Sequence, residues 1–193
     1  MSGGGFGNFN IEEHTDFIKK LFEDHALSVN GSLYRFLETE LYYHGNGHRD
    51  TSVLIRDRNA GDFFFHQFGF DICFRTEKDK SGSPAVYGGV LVRSLKKECG
   101  EIICGPMNCS LHILNSGKSK NTGFILEMNV VSAPHLDLSI KRSVRIKGKR
   151  DDGFHDALYR FITAEFLEEI MKRPLGDHYR KKTAGFQING AVS

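Results

Sequence analysis

The stretch Asp62-Phe63-Phe64-Phe65-His66-Gln67-Phe68-Gly69-Phe70-Asp71-Ile72-Cys73-Phe74 decides how the chain is read. So dense a run of aromatic side chains disfavours a helix and suits a pleated strand. Upstream, residues 33–43 alternate loosely and are also aromatic. Downstream, residues 86–95, 102–104, 124–131 and 143–146 read as further short strands between turns containing Gly, Pro and Ser. Helices flank this sheet. One is predicted from Asn10, which can cap; Glu12 and Glu13 suit its positive end, and Phe17, Ile18, Leu21 and Phe22 recur at helical spacing. It ends before Asn30-Gly31. The other follows the apolar stripe Ala157, Leu158, Phe161, Ile162, Phe166, Leu167, Ile170 and Met171 and stops at Pro174. A chain of 193 residues, 39% hydrophobic and 26% charged, suits one core. The expectation is one α+β domain over residues 10–175, between a disordered Gly-rich tail at 1–9 and a polar tail at 176–193.

The formal charge of +2 is too mild to name a partner, but its distribution is uneven. Lys141, Arg142, Arg145, Lys147, Lys149 and Arg150 crowd ten residues that hold no acid, which reads either as a solvated face or as a phosphate-tracking surface. Cys73, Cys99, Cys104 and Cys109 match neither paired zinc spacing nor a secreted disulfide framework, so they read as buried or incidental thiols. His44 and His48 lie four apart, yet Gly45-Asn46-Gly47 between them argues for a loop and no third ligand is evident; no metal is expected. No apolar run reaches membrane length and no basic-then-apolar leader opens the chain, so no membrane association and a cytoplasmic location are expected. Ser116-Gly117-Lys118-Ser119 imitates a phosphate loop, but His112 stands where the first glycine belongs. No nucleophile elbow of the form G-x-S-x-G is complete.

What stands out chemically is Leu37-Glu38-Thr39-Glu40-Leu41-Tyr42-Tyr43. Two carboxylates two apart on a strand share one face, and a carboxylate in an aromatic, partly dry setting can serve as a general base. A solvent-facing edge pair has the same sequence pattern. His66 reads as a strand histidine with its hydrogen bonds met. Asp71, isolated in an apolar run, calls for a partner such as Arg75 or Arg93, unless it marks an altered pocket.

Phe36-Leu37-Glu38-Thr39-Glu40-Leu41-Tyr42 followed by His44 and His48 resembles the V-E-T-E-A-Y…H segment of the alkyladenine (3-methyladenine) DNA glycosylases. Phe63-Phe64-Phe65-His66-Gln67-Phe68-Gly69-Phe70 is similar to that family's aromatic Y-V-Y-x-x-Y-G strand. Val90-Leu91-Val92-Arg93-Ser94-Leu95 is similar to its V-L-L-R-A-L strand, and Gly105-Pro106-Met107-Asn108 falls where its G-P-x-K turn opens a helix. The chain departs from the pattern at Asn108, which replaces the lysine, and between His48 and Gly61, where no R-N turn leading into the family's M-F pair is found.

The resemblance implies a single domain with a mixed or antiparallel curved sheet and flanking helices. It also implies a monofunctional hydrolase that removes a flipped alkylated or deaminated purine from duplex DNA, as a monomer and without cofactor or metal, in base-excision repair. Glu40 would then activate water, with Arg93 beside it. Tyr42 and Phe65 would wall the base, His48 (or His44) would hydrogen-bond it, and Phe68 would fill the duplex where the nucleotide has left. Arg75 stands near the family's base-discriminating asparagine and, as a pure donor, would change which base is accepted. The basic residues at 141–150 would contact the DNA backbone. The competing expectation is a relative of the same fold that binds nucleic acid or a modified base without cutting.

Overall fold

The computed structural model describes residues 10–45, 47–120, 123–145, 154 and 157–172. The chain begins with helix α1 (Ile11–Asp24). Asn10 caps it by accepting from the Glu12 amide at 2.9 Å, and Ile18, Leu21 and Phe22 turn inward. The helix does not continue toward Asn30: His25–Val29 is strand β1. The Asn30-Gly31 pair, both at positive φ, makes the tight turn that twists β1 back onto β2 (Ser32–Gly45). Pairing on both sides, with β2 and with residues 128–132, outweighs the helical pattern that runs into this segment.

Next come β3 (His48–Arg49), β4 (Phe63–His66), β5 (Gly69–Lys78), β6 (Pro84–Lys97), β7 (Ile102–Cys104) and helix α2 (Pro106–Asn115). A small hairpin of β8 (Lys118–Lys120) and β9 (Gly123–Ile125) leads to β10 (Met128–Ser132), β11 (Ile140–Ser143), β12 (Arg160–Thr163) and helix α3 (Ala164–Lys172). The main sheet is antiparallel in the order β10-β1-β2-β6-β5-β4. It curls because β12 and β11 branch from the middle of β2, while β3 and β7 extend β2 and β6. The protein is a single-domain α+β fold built on this curled sheet.

Further expectations change. Of the strand expected at 143–146 only Ser143, among the described residues, is in one, as the last residue of β11, and the stretch 124–131 divides between β9 and β10. The aromatic stretch at 62–74 is not one strand but the hairpin β4–β5, turning at Gln67-Phe68. Gly69 makes that turn possible: its φ is +147°, and a Cβ there would lie 2.9 Å from both Leu91 and Pro106 side-chain carbons. The turn is therefore wedged between β6 and the start of α2. Only the second half of the stripe at 157–171 is helical, because Arg160 to Thr163 pair with β2 and β11. A fully buried strand and a buried helix both present unbroken apolar sequence, and periodicity alone does not separate them. The expected tails at 1–9 and 176–193 lie outside the described residues.

At the centre, β2 and β6 each carry an extra residue opposite the other, at Leu37 and Arg93. Phe36 and Leu41 consequently both join the main core, although an odd number of positions separates them. The same holds for Leu95 and Val92. Beyond this double bulge, Glu38, Glu40, Tyr42, Leu91 and Arg93 project from the other face. Leu37 joins a second core with Ile162, Phe166 and Ile170 under α3.

Candidate functional site

Glu38 and Glu40 do share a face, and it is the inner one. Glu38 has no exposed surface. Its Oε1 accepts from Arg93 Nε at 2.9 Å and Arg160 Nε at 2.6 Å, and its Oε2 accepts from the Ser94 hydroxyl at 2.9 Å. Glu40, 1% exposed, lies with Oε2 3.3 Å from Arg93 Nη1 and receives the Tyr42 hydroxyl at 2.9 Å. One guanidinium thus spans both carboxylates. Burial, and after it the Glu40 charge, raise the Tyr42 hydroxyl well above its usual range, so it stays a hydrogen-bond donor.

Register extends this arrangement across the sheet. Directly opposed residues of antiparallel strands project together, so Arg160, Glu40, Leu91, Asp71 and Phe64 form one continuous row. In the neighbouring row Tyr42 opposes Gly89, which opposes Cys73. Tyr42 and Phe64 both pack against the cluster of Val53, Cys73 and Tyr87. Asp71 pairs with neither Arg75 nor Arg93. It bonds Arg56 Nη1 at 3.1 Å and stands 3.3 Å from His66 Nε2. The Arg56 guanidinium lies 3.3 Å above the centre of the Phe64 ring.

Phe65 falls on the opposite face. It opposes Phe70, stacks on it at 5.2 Å and packs against the main core, so Phe64 rather than Phe65 is on the Tyr42 side. A two-residue turn fixes which alternate positions face which way, and the aromatic run alone carries no such mark. Phe68 stands at the hairpin tip, 60% exposed, edge-on to His66. Arg75 is drawn to Glu77, with Nε 2.9 Å from its carboxylate. Both residues line an open cleft of about 360 Å³ with Asp57, Arg58, Phe74 and Lys78.

His48 is buried. Its Nδ1 donates to the Tyr43 carbonyl at 2.9 Å, which leaves Nε2 to accept from the Tyr159 hydroxyl at 2.8 Å. Burial lowers its pKa, consistent with this neutral form. His44 instead sits at 3.3 Å from the Asp50 carbonyl. Arg145 is not a backbone-contacting surface residue: it is 5% exposed, donates to Asp50 Oδ2 at 2.7 Å and covers the Tyr42 ring at 4.6 Å. Arg142 donates to the Leu158 carbonyl at 3.1 Å and leans over Phe161. A basic residue in a segment without acids found its acid elsewhere in the chain. Lys141 is half-buried on β11, and Lys147, Lys149 and Arg150 lie outside the described residues.

Arg56, Asp50 and Arg160 were missed by the sequence reading. Arg160, a lone charge within Leu158-Tyr159-Arg160-Phe161-Ile162, carried the signal that could have found it, because such a charge must meet a partner inside. Among the described residues no group of His, Cys, Asp and Glu is arranged to hold a metal, and no helix is long and apolar enough to cross a membrane. Cys73 and Cys109 are buried, Cys104 is half-buried and Cys99 is exposed.

No protein-family model matches the chain, and no solved structure matches it. It is 30% identical to the uncharacterized protein L759 of Acanthamoeba polyphaga mimivirus, in a match covering 53% of this chain. The match takes in 57% of that viral protein, so the chain spans little more than half the length of this relative.

Proposed function

We propose that the protein is a DNA glycosylase that hydrolyses the N-glycosidic bond of a flipped, damaged purine, with Glu40 as the general base. The observation that carries this reading is Glu40 held between Arg93 and Tyr42, on the sheet face that continues into a hairpin tipped by exposed Phe68. Glu40 takes a proton from water as its oxygen attacks C1′, and the bond to the base nitrogen breaks. The carboxylate also offsets positive charge developing on the sugar, while Arg93 fixes its orientation. Tyr42 offers a ring for the base to stack on, and Phe68 fills the vacated stack. Because Glu40 is sealed and Arg145 covers Tyr42, a nucleotide enters only once Arg145 swings aside.

The test is release of free base from duplexes carrying hypoxanthine, 1,N6-ethenoadenine, 3-methyladenine or 7-methylguanine. Wild type releases base, whereas Glu40→Gln binds the same duplex and releases none. Equal release by both proteins overturns the role of Glu40. A second reading, a nucleic-acid or modified-base binder that does not cut, is favoured by the same covering of Tyr42 and the near-complete burial of Glu40. It predicts salt-sensitive binding, with log K falling about 0.9 per log unit of salt for each phosphate neutralised, and no base released.

A further inference from the structure

Helix α2 buries Cys109, Ser110 and Ile113 and leaves Met107, Leu111 and Leu114 outside, each with 38% to 50% of its surface exposed. Their spacing of four and then three residues puts them in one stripe along the helix. A phenylalanine stands at either end of it. At the start of α2 the turn that carries Phe68 abuts Pro106, where a Cβ on Gly69 would lie 2.9 Å from the proline side chain. Past the end of α2 the ring of Phe124, brought there by β9, covers Gly117 so closely that a Cβ on that glycine would collide with it. Phe68 and Phe124 are 60% and 61% exposed. At about 200 Å² for a fully exposed residue of this size, the five leave roughly 500 Å² of mostly apolar surface in water, the upper range of what a monomer carries. Residues 105–117 hold no Asp, Glu, Lys or Arg, and the exposed polar residues among them are Asn108 and Asn115.

We propose that the protein pairs with a second copy of itself through this stripe, α2 against α2 about a two-fold axis at Leu111. The order Phe68, Met107, Leu111, Leu114, Phe124 has the same character read in either direction. Antiparallel pairing therefore sets Leu111 on its own equivalent, Met107 on Leu114 of the second copy, and the Phe68 end beside the Phe124 end, which is the reciprocal matching that a two-fold interface requires. A helix face without charges brings no like charges together when it meets itself, and asparagine amides, which both donate and accept, suit its rim. A standard interface takes about 800 Å² from each partner, somewhat more than half of it apolar, and the stripe alone supplies that apolar share. The inference goes beyond the glycosylase reading and does not rest on it. Where both hold, a Phe68 seated on a second copy is not free for a duplex, so the DNA-bound protein is the monomer.

The experiment is sedimentation velocity of the full chain, without DNA, from about 1 to 100 µM. Wild type is expected to pass from the mass of one chain, 21.8 kDa, to twice that mass across the series. Leu111→Asp sets two like charges against each other at the axis and is expected to weaken association by about a hundredfold or more. Leu54→Asp puts the same charge on an equally exposed leucine away from α2 and is expected to leave association unchanged. Far-UV circular dichroism checks that each variant folds, and Met107→Lys carries the test if Leu111→Asp does not. Wild type that stays at the mass of one chain throughout overturns the proposal and gives the stripe a different occupant. A dimer that survives Leu111→Asp, or that Leu54→Asp weakens as much, overturns it as well. None of these outcomes bears on the release of base, so the glycosylase reading stands or falls separately.

Discussion

Two regions of this sheet use the same residue types to opposite ends. At its centre Glu38, with no exposed surface, takes both Arg93 and Arg160, Glu40 supplies the second negative charge beside Arg93, and the Ser94 hydroxyl donates to the other Glu38 oxygen. At the β4–β5 hairpin, Asp71 and His66 form a comparable cluster with Arg56 from the segment before β4, but its neighbour is an exposed phenylalanine at a strand tip. Ion pairs sealed on every side act as internal bracing, since removing one partner strands the others. The hairpin set is less completely enclosed, its side chains keeping 10% to 12% of their surface exposed.

The sharpest way to break this contrast is Glu38→Ala, which leaves two guanidiniums buried without their shared carboxylate. A loss of about 3–5 kcal/mol in urea unfolding is expected, and a loss below about 1 kcal/mol would show that the centre is not braced by charge. Within the hairpin, Phe70 is fully buried against Phe63 and Phe65, and Phe70→Ala is expected to cost about 3 kcal/mol by the same measurement.

A smaller effect is expected at His48. The fold holds its ring neutral, so its folded pKa lies below the ordinary 6.5. Above pH 6.5 neither state takes up the proton. As pH falls below 6.5 the unfolded chain binds one that the folded chain refuses, so stability drops until the lowered folded pKa is passed. His48→Gln should flatten this part of the pH–stability curve; an unchanged slope between pH 7 and 5 would assign it to other groups. The smallest change is Phe68→Ser, within about 0.5 kcal/mol in stability, because the ring meets mostly solvent. If duplex binding by this variant matches wild type, the hairpin tip is not part of a DNA surface.

Much of the sheet was legible in the sequence, because β2, β6 and β7 are apolar segments bounded by clear turn residues. The carboxylates of β2 were also visible, since their spacing alone puts Glu38 and Glu40 on one face. What stayed hidden depended on parity and on distant partners. Phe64 and Phe65 are interchangeable until the turn at Gln67-Phe68 decides which of them looks toward Tyr42. Arg145 read as a surface cation because Asp50, its partner, lies 95 positions earlier. Residues 157–163 read as helix because β12 is buried among strands and shows no alternation.

The double bulge at Leu37 and Arg93 also constrains how the gene can change. Losing one codon on either side of the β2–β6 pairing would invert everything beyond it in that strand, turning Glu40 and Tyr42 toward the main core and Leu41 away from it. Only a compensating loss in the partner strand would bring the two back into phase. Length changes here are therefore tolerated as matched pairs, while the loops at Ser81-Gly82 and Cys99-Gly100 remain free to grow or shrink singly.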